Sequence, residues 1–365
     1  MRWISLTLFI TVICCPGLQA QSAGPRQLIP FDDSWKFHLG NAADPEKDFN
    51  FGIRNIFVKS GNAKGTGIDP EFNDSAWRTV QLPHDWAVEL PFENSPSEEV
   101  KDHGYKPVGG LYPQNSIGWY RKHFRIDAAD SGKRFSIRFD GIFRNSCIWI
   151  NGFYLGNMLS GYIGNSFDIT DFVDFHRENV LVVRVDASQY EGWFYEGAGI
   201  YRHVWLNKYD NLHIIPDGIY VHAEIKNGAA LISIETTIRN QQEDSVRFSL
   251  SSGIKDREGN RLEQTGNEYF SLAPDETKTF RQKIKLNRPR LWSIGDPYLY
   301  RIDVRVQLEN RISDNRQLKF GIRQIVIDSS GLYINGKYTK LLGVNCHPDH
   351  AGLGMALPDY LQYYR

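Results

Sequence analysis

The stretch that decides the reading runs Asn335-Gly336-Lys337-Tyr338-Thr339-Lys340-Leu341-Leu342-Gly343-Val344-Asn345-Cys346-His347-Pro348-Asp349-His350-Ala351-Gly352. Asn335-Gly336 signals a tight hairpin, because both residues tolerate positive φ. Leu341–Val344 is too short and too apolar for anything but a buried strand. The pattern then breaks into Asn, Cys, His, Pro, Asp and His. Titratable residues at the C-terminal end of a buried strand are what a site on a barrel or open α/β sheet requires. Leu357 onward reads as the start of a helix, with Pro358 near its first position and Asp359 in its first turn.

Working outward, Lys and Arg number 42 against 43 Asp and Glu, so no basic excess points to nucleic acid. The aromatic fraction of 13% suits β-sheet cores and also surfaces that stack on sugar rings. Met1-Arg2-Trp3 followed by an apolar run from Ile4 to Cys15 and a small residue at Ala20 makes residues 1–20 a secretory signal peptide. The run is too short to span a bilayer, so secretion or a periplasmic location is expected and no membrane attachment after cleavage. Neither Cys14 nor Cys15 follows Gly, Ala or Ser, which argues against a lipoprotein anchor. Cys147 and Cys346 are expected to be buried small hydrophobes rather than a disulfide.

From about Pro25 to Tyr209 the chain shows short alternating runs cut by Gly, Pro, Asn and Asp. Candidate strands are Trp35–Leu39, Gly118–Phe124, Phe135–Phe139, Ser146–Ile150, Ser166–Ile169, Asn179–Val185 and Ile200–Leu206, which read as a β-sandwich. Asn151-Gly152 supplies another hairpin turn. Residues 210–322 show plainer alternation, with about seven strands at immunoglobulin-like spacing and no titratable cluster.

Two stretches of the first region carry candidate chemistry. Leu82-Pro83-His84-Asp85-Trp86 sets a His-Asp pair after an X-Pro turn. Glu191-Gly192-Trp193-Phe194-Tyr195-Glu196-Gly197-Ala198-Gly199 is a glycine- and aromatic-rich loop that runs into the strand Ile200–Leu206. Its glycines allow close backbone approach, and no helix follows to make it a phosphate cradle. Asp85 either fixes the loops or faces a ligand. Trp193 and Tyr195 either pack or stack on a sugar, and Glu191 and Glu196 either face a ligand or form local bonds. His347 and His350, three residues apart, read as sugar contacts, as buried structural histidines or as metal ligands, and no third ligand is evident.

Taken together, Leu82–Trp86, Gly118–Phe124, Gly197–Leu206, Leu291–Tyr300, Phe320–Arg323 and Asn335–Gly352 resemble glycoside hydrolase family 2, and look most like its bacterial β-galactosidases. The resemblance implies a mainly β chain: a sugar-binding jelly-roll β-sandwich at 25–209, an immunoglobulin-like β-sandwich at 210–322, and the first β/α unit of an incomplete (β/α)8 barrel at 323–365. It implies retaining hydrolysis of β-galactosides by two glutamates about 5 Å apart. A barrel needs about 250 residues, so the resemblance places both catalytic glutamates beyond Arg365 and assigns no catalytic residue to this chain. His347 matches the family's histidine at the end of the first barrel strand, which binds sugar hydroxyls. Cys346 stands where many members have Arg. Trp193 stands at or near an Asp that reaches the sugar in better-known members, with Glu191 and Glu196 flanking it.

The expected substrate-binding set is therefore His347, Glu191, Trp193, Glu196, Asp85 and His350. The expected partner is a β-galactoside oligosaccharide or polysaccharide, with a homo-oligomer left open. No cofactor is required, and no residue pattern supports a bound Na, Mg or Ca ion. A glucuronide or mannoside specificity, and a stand-alone carbohydrate-binding module, are the rival readings.

Overall fold

A computed structural model describes residues 25–51, 64–90, 116–188 and 195–364. The expected signal peptide at residues 1–20 and the candidate residues Glu191 and Trp193 lie outside the described residues.

The chain is mainly β. Ten strands come first: β1 (Gln27–Pro30), β2 (Trp35–Leu39), β3 (Arg78–Val80), β4 (Ile117–Phe124), β5 (Arg134–Phe139), β6 (Ser146–Ile150), β7 (Phe153–Met158), β8 (Asn165–Asp168), β9 (Asn179–Asp186) and β10 (Val204–Tyr209). They form a six-stranded sheet in the order β3-β2-β4-β9-β6-β7 and a four-stranded sheet in the order β1-β10-β5-β8. Side chains alternate between the faces of a strand. In β9 that sorts Leu181, Val183 and Val185 into the core between the sheets, with Phe135, Ile137 and Phe139 from β5 and Ile148 and Ile150 from β6. Val180 and Val182 face the other way, where Trp77, Trp119 and Trp149 cover them. The larger sheet is thus buried on both faces, so β4 and β9 are buried along nearly their whole length, and only β9 reads as a near-continuous apolar run.

Polar anchors fix the cover over that outer face. Arg121, fully buried, donates to Asp74 at 2.7 Å and to the Gly67 carbonyl at 2.7 Å. Asp48 accepts from the Trp119 indole at 2.6 Å and from Arg184 at 2.8 Å. Buried charges survive only when paired and hydrogen-bonded in this way.

Eight further strands follow: β11 (Leu212–Lys226), β12 (Ala229–Asn240), β13 (Val246–Lys255), β14 (Arg261–Gln264), β15 (Glu268–Leu272), β16 (Thr277–Asn287), β17 (Tyr300–Leu308) and β18 (Arg311–Phe320). They make a three-stranded sheet, β11-β12-β16, and a five-stranded one, β14-β13-β17-β18 with β15 on β13. Alternate residues of β12 and β16, with Phe248, Leu250, Ile302, Val304 and Val306, form their own core. Arg26, just ahead of β1, joins the two groups of sheets. It grips Asp314 of β18 at 3.0 and 2.6 Å and donates to the Ile214 carbonyl at 2.6 Å.

The hairpins sit where the sequence sets them. Asn151-Gly152 joins β6 to β7 with φ of 50° and 83°. Asn335-Gly336, with φ of 52° and 76°, joins β20 (Gly331–Ile334) to β21 (Lys337–Tyr338) in a small sheet that also holds β19 (Ile325–Asp328). The segment after it departs from expectation. Leu341–Val344 forms no strand, and Leu341, Leu342 and Val344 are 68%, 84% and 93% exposed. A parallel barrel strand is held by neighbours on both edges and by helices on its face, and no described strand lies alongside it. Cys346 is likewise exposed and Cys147 half-buried, against the expectation that both are buried; neither forms a disulfide. The chain then turns back onto the first sandwich and ends its described part in α1 (Asp359–Tyr364).

Candidate functional site

The turn after β3 brings the candidate residues together. Backbone bonds from His84 to the Ile200 carbonyl (2.8 Å) and from Trp86 to the Ala198 carbonyl (3.0 Å) lay residues 84–86 alongside 198–200. Gly199 and Phe143 exchange a reciprocal pair of backbone bonds at 2.8 Å on the other side. A Cβ at Gly199 would lie 2.4 Å from the His84 carbonyl oxygen, and its φ of 137° suits glycine alone.

Asp85 is the centre of this arrangement. It is 2% exposed, and its carboxylate accepts four hydrogen bonds. Oδ1 takes the Ala87 amide at 3.0 Å and the Ala198 amide at 2.9 Å. Oδ2 takes the Tyr195 hydroxyl at 2.9 Å and the Met355 amide at 2.8 Å. Four donors fill the acceptor capacity of a carboxylate. Burial pushes the Asp85 carboxyl above its usual range, against the pull of those donors. Gly197 and Gly354 make the close approach feasible: a Cβ on either would fall 2.5 or 2.2 Å from Asp85 Oδ2.

The Met355 bond fastens the segment after His347 to the sandwich. Met355 itself is buried against Phe143 and Tyr201, with Tyr195 beside them. His350 closes a turn with Gly354 through two backbone bonds of 3.0 and 2.9 Å. A cavity of about 760 Å³ remains under this segment, lined by Tyr162, Tyr201, Arg202, His203, Pro348 and Asp359, among others. His203 spans it: Nδ1 meets Asp32 at 2.6 Å and Nε2 meets Asp359 of α1 at 3.4 Å. The Asp32 carboxylate holds the imidazolium, raising its pKa to about 9 despite partial burial. On the far side His84 links Tyr120 (2.7 Å) to Glu89 (3.3 Å). Burial works to raise the Glu89 carboxyl, but His84 and Arg78 outweigh it and bring it down to about 2.

Of the residues singled out from sequence, Asp85 and Glu196 are both buried, and His350 sits in the turn that leads to Met355. His347 is exposed, just ahead of that turn. Met355, Phe143 and the His203–Asp359 link escaped the sequence reading. Tyr195 reads from the sequence as a packing or sugar-stacking aromatic, but nothing in one sequence pairs it with an Asp over a hundred positions away. No three His, Cys, Asp or Glu side chains converge as metal ligands among the described residues.

Comparison with known proteins gives this arrangement a family. Residues 70–210 match the glycosyl hydrolases family 2 sugar binding domain, and residues 212–323 match the glycosyl hydrolases family 2 domain that follows it. The chain is 35% identical over 336 residues to the β-galactosidase BoGH2A of Bacteroides ovatus, covering 91% of this chain and 36% of that protein. It is 29% identical over 339 residues to a β-glucuronidase of Formosa agariphila, covering 86% of this chain and 34% of that one. The crystal structure of Bacteroides uniformis β-glucuronidase superposes with a TM-score of 0.76 at 26% identity, over 93% of this chain and 38% of that one. The chain therefore spans about a third of the length of the relatives it matches. With two successive domain matches in the family's order and relatives aligned along nearly all of it, this chain belongs to glycoside hydrolase family 2.

Proposed function

We propose that this chain is the sugar-binding portion of a secreted or periplasmic retaining β-galactosidase acting on β-galactoside oligosaccharides or polysaccharides. Residues 25–209 act as the jelly-roll sugar-binding domain, 210–322 as an immunoglobulin-like spacer, and 323–365 as the entry to the (β/α)8 barrel. The observation that carries the reading is the Asp85 clasp. One carboxylate ties the loop 195–198, inside the sugar-binding match, to Met355, on the segment that bears His347.

Retaining hydrolysis needs one carboxylic acid to protonate the leaving oxygen and one carboxylate about 5 Å away to capture the oxocarbenium-like centre. We assign neither to this chain; both belong to later barrel strands. His347 then contributes one wall of the pocket as a donor to sugar hydroxyls, with no cofactor needed. The nearness of 35% identity to a β-galactosidase and 29% to a β-glucuronidase favours the galactoside and leaves the glucuronide as the second reading.

Incubation of the purified chain with nitrophenyl β-galactoside and β-glucuronide tests this. No turnover of either is expected. Turnover abolished by His347→Ala would overturn the assignment of the carboxylates. In an enzyme that includes the barrel, His347→Ala should lower kcat by roughly 10²-fold, the usual effect of losing one positioned donor.

A further inference from the structure

The outward face of the four-stranded sheet carries a second set of polar groups that the clasp does not use. Val204 and Leu206 point into the core, so Trp205 and Asn207 point away from it. Register sets Trp205 beside Arg138 and Arg138 beside Ser166 across three strands. Pro216 of β11 and Arg316 of β18 close the face from the other group of sheets. The result is a cleft of about 260 Å³, which shares Arg138 and Asp140 with the cavity under the C-terminal segment.

Two side chains in this cleft lack partners. Asn207 is only 7% exposed, and its side-chain amide makes no hydrogen bond to another described residue. Arg316 forms no hydrogen bond or ion pair among the described residues. The neighbouring arginines are committed elsewhere: Arg26 to Asp314 at 2.6 Å, and Arg138 to Asp140 at 3.0 Å. Trp205 is oriented by the bond from its indole nitrogen to Asp140 at 2.7 Å. Burial and the like charges of Arg26 and Arg138 make the Arg316 cation harder to hold, with Asp314 and Asp217 offsetting only part of this. Asn207, 7% exposed, and Arg316, half-buried, both line the cleft, which leaves their polar ends available to a bound group.

We propose that this cleft is a carbohydrate subsite for one acidic sugar ring, a uronate, with its carboxylate on Arg316 and a ring hydroxyl on Asn207. An arginine fork matches a carboxylate in two parallel bonds. A neutral amide both donates and accepts, which suits a hydroxyl and not a bare anion. Trp205 and Pro216 supply the apolar wall that a sugar face requires. The volume, at the small end for ligand pockets, fits one ring and no more.

Isothermal titration of the chain with galacturonate and glucuronate, against galactose and sodium sulfate at constant ionic strength, tests the assignment. A uronate should bind at least ten-fold more tightly than galactose and than sulfate. Arg316→Gln should weaken uronate binding ten-fold or more with the melting temperature unchanged, and Asn207→Ala should weaken it further. Arg316→Lys, which keeps the charge and loses the fork, should retain part of the affinity, and uronate should perturb Trp205 fluorescence. No uronate binding, equal binding of galactose, sulfate as tight as uronate, or affinity indifferent to Arg316→Gln would each overturn the proposal. Should Arg316→Gln fail to fold, Arg316→Lys and the Trp205 signal decide between the same outcomes.

Discussion

Asp85 shows what a single carboxylate does when it is removed from water and surrounded by donors. Its four hydrogen bonds come from a residue two positions on, from the loop at 195–198, and from Met355 near the chain's end. Removing it strands the Ala198 and Met355 amides in a buried setting, where each unsatisfied group costs about 1–3 kcal/mol. Asp85→Ala should therefore destabilise the first group of sheets by about 3 kcal/mol, read as a lowered midpoint in urea with little change in slope. A substitution within about 0.5 kcal/mol of the parent would mean that Asp85 is a surface contact after all. The sequence marks Asp85 as notable, since a His-Asp pair follows an X-Pro turn. It does not choose between a loop anchor and a sugar contact, because that choice depends on donors far away in the chain.

At the scale of elements, hairpins and alternating strands were the most legible features. Asn151-Gly152 and Asn335-Gly336 are local: two residues with positive φ fix the turn wherever it stands. The alternation of β12 and β16 follows from one buried face. Leu341–Val344 forms no strand because an apolar run says that burial is wanted, not that a partner is present to provide it. The link between α1 and the sandwich was invisible for the opposite reason: it rests on one histidine between two distant aspartates. That link has a pH signature. His203 has a folded pKa of about 9, raised from the ordinary 6.5. A raised histidine stabilises fully below about 6.5, and the contribution fades as pH climbs through 9. Asp359 is largely exposed, so after solvent screening we expect about 1 kcal/mol to be lost between those values. Chemical denaturation at pH 6 and pH 9.5 should show the loss, and His203→Gln should flatten it. A parent protein equally stable at both values would contradict the linkage.

At the scale of the whole molecule, two groups of sheets with separate cores are joined by Arg26 and its neighbours, and the segment after β21 folds back onto the first. The first group of sheets holds the Met355 segment through Asp85. His347, just ahead, stays exposed, and on the proposed function it would line the sugar pocket. The cleft around Arg316 lies at the junction of the two groups of sheets, where neither alone could form it.

Hydrogen exchange at the Met355 amide tests the clasp most directly. In the parent chain this amide should be protected well beyond its exposed neighbours in 341–350. In Asp85→Asn, where an NH₂ replaces one acceptor oxygen at nearly the same volume, exchange across 353–357 should speed up at least ten-fold, with the amides of β4 and β9 unchanged. Equal protection of Met355 in the two proteins would contradict the account.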